Sequence, residues 1–152
     1  MGLTISGQGP EQSNINDLAE ELSIASNLKI RGWQDPDILI DHYKLSDVFL
    51  LTSEYEGYGM TLIEAAAAGC PIVTTEVGIA KTNLFKNGEN SFVCPVGDVD
   101  CLADSVIELL SHPEKRELFK RQMQASIKAM SISREQYVAQ YIGLLESLLQ
   151  NS

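Results

Sequence analysis

The chain has 152 residues, 44% of them apolar, with 11 basic against 21 acidic side chains and a formal net charge of −10. That length fits a single domain, residues 1–152, able to fold around its own core without a metal or disulfide, and the apolar share excludes a disordered chain. The negative field repels phosphate backbones and anionic lipid, which argues against a nucleic-acid partner. Any phosphate in a ligand must be held by local backbone dipoles or a few cations.

In chain order, Leu3 to Ser6 reads as a short strand ended by the turn Gly7-Gln8-Gly9-Pro10. A helix follows from Ser13 or Asn14, with Ile15, Leu18, Ala19, Leu22 and Ala25 on one face. Leu28 to Ile30 is a brief strand closed by Gly32, and Asp35-Pro36 opens a helix carrying Ile38, Leu39, Ile40 and Tyr43. Val48 to Leu51 is apolar on both faces, as in a parallel sheet covered by helices.

The loop from Thr52 to Gly59 leads into an alanine-rich helix ending at Ala68, with Gly69 at its C′ position and Pro71 blocking continuation. Ile72 to Thr75 and Phe92 to Pro95 are the next strands, with Asn87-Gly88 marking a turn between them. Asp98 caps a helix with Leu102, Ala103, Val106, Leu109 and Leu110 on one face. Pro113 fits the first turn of the next helix. Ser133 with Gln136 forms a capping box for the last, which lines up Tyr137, Tyr141, Leu144, Leu145 and Leu148.

Strands alternating with helices predict an α/β fold: a Rossmann-like parallel sheet flanked by helices, followed by C-terminal helices. Ligands of such sheets sit at the carboxyl ends of the strands, which selects the loops after Ser6, Ile30, Leu51 and Thr75. No apolar run approaches ~18 residues, so no membrane-spanning helix is expected, and no secretory signal is read. The three cysteines, Cys70, Cys94 and Cys101, are an odd count without metal-ligand spacing. They read as small buried apolar residues rather than a disulfide or a metal site. This reading places the chain in a reducing, cytoplasmic compartment, with the membrane surface a further location for the intact protein.

The chemistry concentrates in Ser53 to Gly69. Gly57 and Gly59 let the backbone approach a ligand, and the N–H groups of the following helix, from Met60 and Thr61 onward, make an anion site for phosphate. Glu64 leans back toward the same end of the helix, where a carboxylate matches the paired hydroxyls of a ribose. Glu56 is placed to meet a sugar hydroxyl or to stabilise charge developing at an anomeric carbon. By spacing alone, Gly-x-Gly is equally a tight turn, and a glutamate early in a helix gains from the dipole with no ligand at all.

The spacing E-x7-E, spelled Glu56-GYGMTLI-Glu64 and followed by AAAAG-x-P, resembles the signature of the large retaining GT-B glycosyltransferase family, which includes sucrose synthases and many bacterial polysaccharide and glycolipid transferases. Leu3-TISGQG-Pro10, Asn27-LKIR-Gly32, Ser46-DVFLLT-Ser53 and Asn87-GENSFVCPVG-Asp98 resemble further blocks of that family, in family order, over roughly residues 3 to 142.

The resemblance implies the C-terminal, donor-binding half of a GT-B enzyme, with a nucleoside-diphosphate sugar as donor, a hexose-type sugar transferred with retention, and no cofactor or metal. It assigns Glu64 to the ribose and Glu56, the catalytic candidate, to the donor sugar. Gly57, Tyr58 and Gly59, with Met60 and Thr61, line the sugar and pyrophosphate. Trp33 lies near the base, and Gly7 and Gly9 face the interdomain cleft. The chain departs from the family at Gly78, where Ile79 replaces a second glycine, which leaves the contacts of that loop open. Ser91 replaces a common glycine, and Thr52 a common proline.

The family's domain normally opens with a strand, an arginine and a lysine, and follows an N-terminal acceptor domain. These are expected to be missing here, so that the lone domain binds nucleotide weakly without turnover. Arg31, Lys81 and Lys86 read as solvated surface charges, and His42 and His112 as structural. The alternative is a non-catalytic nucleotide-sugar-binding or partner module of the same fold, with the last helix as its interaction surface. A flavodoxin-like or receiver domain lacks the acidic cluster and phosphate loop such domains require.

Overall fold

The computed structural model describes residues 1–150, arranged as two compact units, residues 1–45 and residues from 46 onward.

The first unit holds β1 (Leu3–Ile5), α1 (Gln12–Glu21), β2 (Leu28–Ile30) and α2 (Pro36–Leu45), with a 3-10 turn at Ala25–Asn27. β1 and β2 pair in parallel, Leu3 with Leu28 through Ile5 with Ile30. The expected face of α1 is not a buried stripe: Ala19 is buried, whereas Leu18 and Leu22 are exposed. The helix stops at Glu21, and Ser23 turns the chain with a φ of 59°, so Ala25 falls outside it. On α2, likewise, Tyr43 is buried and Ile38 and Ile40 are exposed.

The second unit is a three-stranded parallel sheet in the order β3-β4-β5, formed by Phe49–Leu51, Ile72–Thr75 and Phe92–Cys94. The helices are α3 (Met60–Ala68), α4 (Val99–Ser111), α5 (Pro113–Met130) and α6 (Arg134–Gln150). All four residues of the central strand, β4, are buried. β3 pairs within this sheet on one side only, and Leu50 is exposed, so the expectation of a strand covered on both faces does not hold for it.

Local sequence signals account for most boundaries. Gly69, in the left-handed region at φ 81°, ends α3 in a Schellman arrangement, with the Gly69 and Cys70 amides donating to Ala66 and Ala65. Asp98 caps α4 by accepting from the Cys101 amide at 3.0 Å. Pro113 opens α5, and Ser133 and Gln136 exchange the two hydrogen bonds of a capping box.

The core joins Val73 and Cys94 of the sheet to Leu102 and Leu109 of α4 and Phe119 of α5. Phe92 and Phe119 meet edge to face at 5.1 Å, and Lys115 lies over Phe92. Arg116 donates to the Leu109 and Leu110 carbonyls, satisfying the exposed end of α4. The predicted apolar row of α6 is solvent-exposed throughout, with Tyr137 and Tyr141 stacked on one another.

One expectation is overturned outright. Cys94 and Cys101 form a disulfide, with Cα atoms 5.9 Å apart. Seven residues of separation disguise their proximity. The turn at Gly97 (φ 82°) and the Asp98 cap fold the first turn of α4 back over the end of β5. Cys70 alone behaves as expected, a free buried thiol whose pKa is pushed up to about 12, first by burial and then by the Asp47 carboxylate.

A raised pKa keeps the Cys70 thiol protonated, so at pH 8 only about one molecule in ten thousand carries the reactive thiolate. A colorimetric thiol reagent should therefore find no fast-reacting group in the native chain, one in the unfolded unreduced chain and three after reduction. A fast native thiol would contradict this arrangement.

Candidate functional site

The loop between β3 and α3 leaves the carboxyl end of the sheet, and its backbone is fixed from within the second unit. Thr75, the last residue of β4, donates its hydroxyl to the Ser53 carbonyl at 2.6 Å. Ser53 in turn donates its own hydroxyl to Glu56 Oε1 at 2.8 Å. The Ile79 amide donates to the Tyr58 carbonyl at 2.7 Å. The half-buried Glu56 carboxylate is thus held from one side, with its other oxygen available to a ligand.

The three glycines around this loop have different causes. Gly59, at φ 89°, precedes α3 in the left-handed region, where a Cβ would also lie 3.3 Å from Leu62 Cδ1. Gly78, at φ 49°, packs so closely that a Cβ would lie 2.4 Å from the Tyr58 carbonyl oxygen. Gly57 is outside the left-handed region, and a Cβ there would meet nothing within 4 Å. Neither backbone geometry nor neighbouring atoms among the described residues require a glycine at Gly57.

Gly59 caps α3 without a side-chain hydrogen bond, so the N–H groups of Met60 and Thr61 remain for an external acceptor at the positive end of the helix. Leu62 and Ala65 bury the opposite face of α3, which turns Glu64 outward, and Glu64 is exposed. A recess of about 670 Å³ opens beside the loop, bounded by Gly57, Tyr58, Gly78, Ile79, Leu84 and Met130. That size suits a small organic ligand.

The remaining predicted residues belong to the first unit. Gly7 and Gly32 face each other as an isolated antiparallel bridge, the Gly7 amide donating to the Gly32 carbonyl at 2.8 Å. This joins the turns after β1 and β2. Gly9 lies on the first of these turns, and Trp33, 74% exposed, follows the second.

Among the cations, Lys86 is engaged by Glu89 at 3.6 Å, and Lys81 and Arg31 are exposed. His112 is structural, its Nδ1 lying 2.9 Å from the Glu108 carbonyl. Sequence reasoning bounded the segment at Ser53 and noted Ile79 only as a departure, and it missed the hydrogen bonds by which Ser53, Thr75 and Ile79 hold the loop. Their signal was weak, because a hydroxyl at a strand end and one apolar residue after a glycine are common.

The sequence matches the profile of the family described as glycosyl transferases group 1 over residues 1–126. The chain belongs to that family. It is 32% identical over 149 residues to the N-acetyl-alpha-D-glucosaminyl L-malate synthase of Bacillus anthracis, an alignment covering 98% of this chain and 38% of that protein. It is 26% identical to the poly(glycerol-phosphate) alpha-glucosyltransferase of Bacillus subtilis (strain 168), covering 97% of this chain and 21% of that protein. The chain therefore spans well under half the length of these relatives.

Among solved structures, it superposes on the sucrose-phosphate synthase of Thermosynechococcus elongatus with a TM-score of 0.81 at 23% identity, covering 99% of this chain and 39% of that one. It superposes on Anabaena HepE, solved with UDP, with a TM-score of 0.78 at 21% identity, covering 97% and 41%. These likenesses establish the fold as the Rossmann-like half of a GT-B glycosyltransferase.

The glycines give a direct stability contrast. Gly57→Ala should leave the urea unfolding free energy unchanged or raise it by about 0.5 kcal/mol, through the unfolded state alone. Gly59→Ala should lower it by about 1–2 kcal/mol, because it forces an L side chain into the left-handed region.

Proposed function

We propose that this chain is the donor half of a retaining glycosyltransferase that takes a hexose from a uridine diphosphate sugar. The observation that carries the reading is Gly57: a glycine the fold does not need, on the loop at the carboxyl end of β3, two residues before the Gly59 cap of α3, which has no side-chain hydrogen bond. A missing side chain with no internal cause is accounted for by a ligand that approaches the backbone there.

In this reading the pyrophosphate accepts hydrogen bonds from the Met60 and Thr61 amides, where aligned dipoles supply positive potential without a full charge. Glu64 accepts from the ribose hydroxyls. Glu56, oriented by Ser53, accepts from a hydroxyl of the sugar and offsets the positive charge that develops at the anomeric carbon. The bond from that carbon to the diphosphate oxygen breaks, and the acceptor oxygen attaches on the same face. The acceptor's proton passes to the departing diphosphate, so UDP leaves as the second product.

The choice of uridine is supported by the solved relatives in complex with UDP, and with UDP and glucose. Retention is supported by the E-x7-E spacing of Glu56 and Glu64. The acceptor side, and further cations for the diphosphate, belong to the longer protein. The isolated chain is expected to bind without turnover.

Titration of the chain with UDP, GDP and ADP by calorimetry or ligand-observed NMR tests this. UDP should bind with the highest affinity of the three, and Glu64→Ala should weaken it by about tenfold or more, the loss of hydrogen bonds to a charged acceptor. Equal affinity for all three, or an unaltered Kd in Glu64→Ala, would refute the assignment.

A further inference from the structure

The end of β4 and the turn after it touch the glycine loop on both sides of Glu56, at Ser53 and at Tyr58. Thr75 fixes the Ser53 carbonyl, and Ser53 carries the hydroxyl that holds the carboxylate. Three residues on, Gly78 lies against the loop so tightly that a Cβ would stand 3.0 Å from Glu56 Cβ and 2.8 Å from the Tyr58 carbonyl carbon. Ile79, buried, closes the contact with its amide on the Tyr58 oxygen.

We infer that the Thr75–Ile79 turn is a clasp that sets the Glu56 carboxylate toward the donor sugar, with Thr75 and Gly78 as positioning residues. This resolves the departure at Ile79. A second glycine would keep the amide bond to the Tyr58 carbonyl but leave the loop without a side chain beside it, whereas the buried Ile79 side chain stands as an apolar wall against Gly59.

The clasp is anchored where the sheet is stiffest. Thr75 is 1% exposed, and its carbonyl accepts from the Val77 amide and from the Thr74 hydroxyl, both at 2.9 Å. The Glu76 amide donates to the Cys94 carbonyl of β5 at 2.8 Å, and Cys94 is disulfide-bonded to α4. The turn therefore has little freedom of its own, and the loop it grips takes its geometry from the sheet. A carboxylate positioned by a rigid neighbour loses less conformational entropy when a sugar hydroxyl docks on it. In the proposed reading the ribose and diphosphate contacts come chiefly from α3, whereas Thr75 reaches the loop through Ser53, the residue that holds Glu56. Loss of the clasp should thus be felt in the sugar and not in the nucleotide.

The inference rests on the donor reading, and the experiment separates the two. Wild type, Thr75→Val, Thr75→Ser and Gly78→Ala are compared as full chains, with Kd measured for UDP and for UDP-glucose and UDP-N-acetylglucosamine. Thr75→Val should reduce the sugar's share of affinity, the ratio of Kd for UDP to Kd for the better UDP-sugar, by about tenfold. UDP itself should stay within about twofold, and Thr75→Ser should restore the ratio. Parallel weakening of UDP and UDP-sugar, following loss of thermal stability, would make Thr75 merely structural and overturn the inference. If wild type binds no nucleotide, the donor reading fails, and hydrogen exchange judges the clasp without ligand. The Ile79 amide should be protected in wild type and in Thr75→Ser, and should exchange at least about tenfold faster in Gly78→Ala. Unchanged Ile79 protection in Gly78→Ala would overturn it.

Discussion

The second unit depends on the complete burial of β4. Ile72 to Thr75 have no face toward water, so every polar atom on the strand needs a partner inside the protein. The parallel ladders to β3 and β5 satisfy the backbone. The threonine hydroxyls at its carboxyl end must also bond inward, and Thr75 does so by gripping Ser53 across the top of β3. The need to satisfy one buried hydroxyl is thus what ties the loop between β3 and α3 to the core. The same end of the strand extends through Glu76 to Cys94, and from there through the disulfide to α4. Core and site share one framework of hydrogen bonds.

That framework divides the labour among neighbouring glycines. Gly59 serves the helix start and Gly78 serves the packing of two loops, while Gly57 serves neither. The chain's net charge of −10 repels a dianionic ligand at long range, so attraction has to come from short-range, oriented dipoles. An α-helix that begins at a glycine, with no side chain competing for its amides, fits that requirement.

How legible this was in the sequence depended on the range of the interaction. Features fixed within four or five residues could be read directly: the limits of β4, the Gly69 cap, the Asp98 cap, Pro113 at the start of α5 and the Ser133–Gln136 box. The parallel α/β class followed from their alternation. Features decided by what a segment packs against could not be read. Apolar periodicity placed Leu18, Leu22 and the α6 leucines on common faces, but periodicity does not say whether a face is covered. The Cys94–Cys101 bond was hidden because the turn that closes it is invisible to a count of cysteines. At the candidate site, Glu56, Gly57, Gly59 and Glu64 were singled out by their spacing, whereas the bonds from Thr75 and Ile79 to the same loop run through a hydroxyl and an amide that any sequence contains.

The most direct test of the account is the affinity of Gly57→Ala for UDP-glucose and UDP-N-acetylglucosamine beside that of the wild type, with both proteins shown to be equally stable. An added methyl group has open space in the free chain, so any change in Kd reports on the ligand alone. A weakening of about tenfold or more at unchanged stability is the predicted result. An unaltered Kd would mean that no ligand approaches the backbone at Gly57, and would contradict the placement of the donor on this loop.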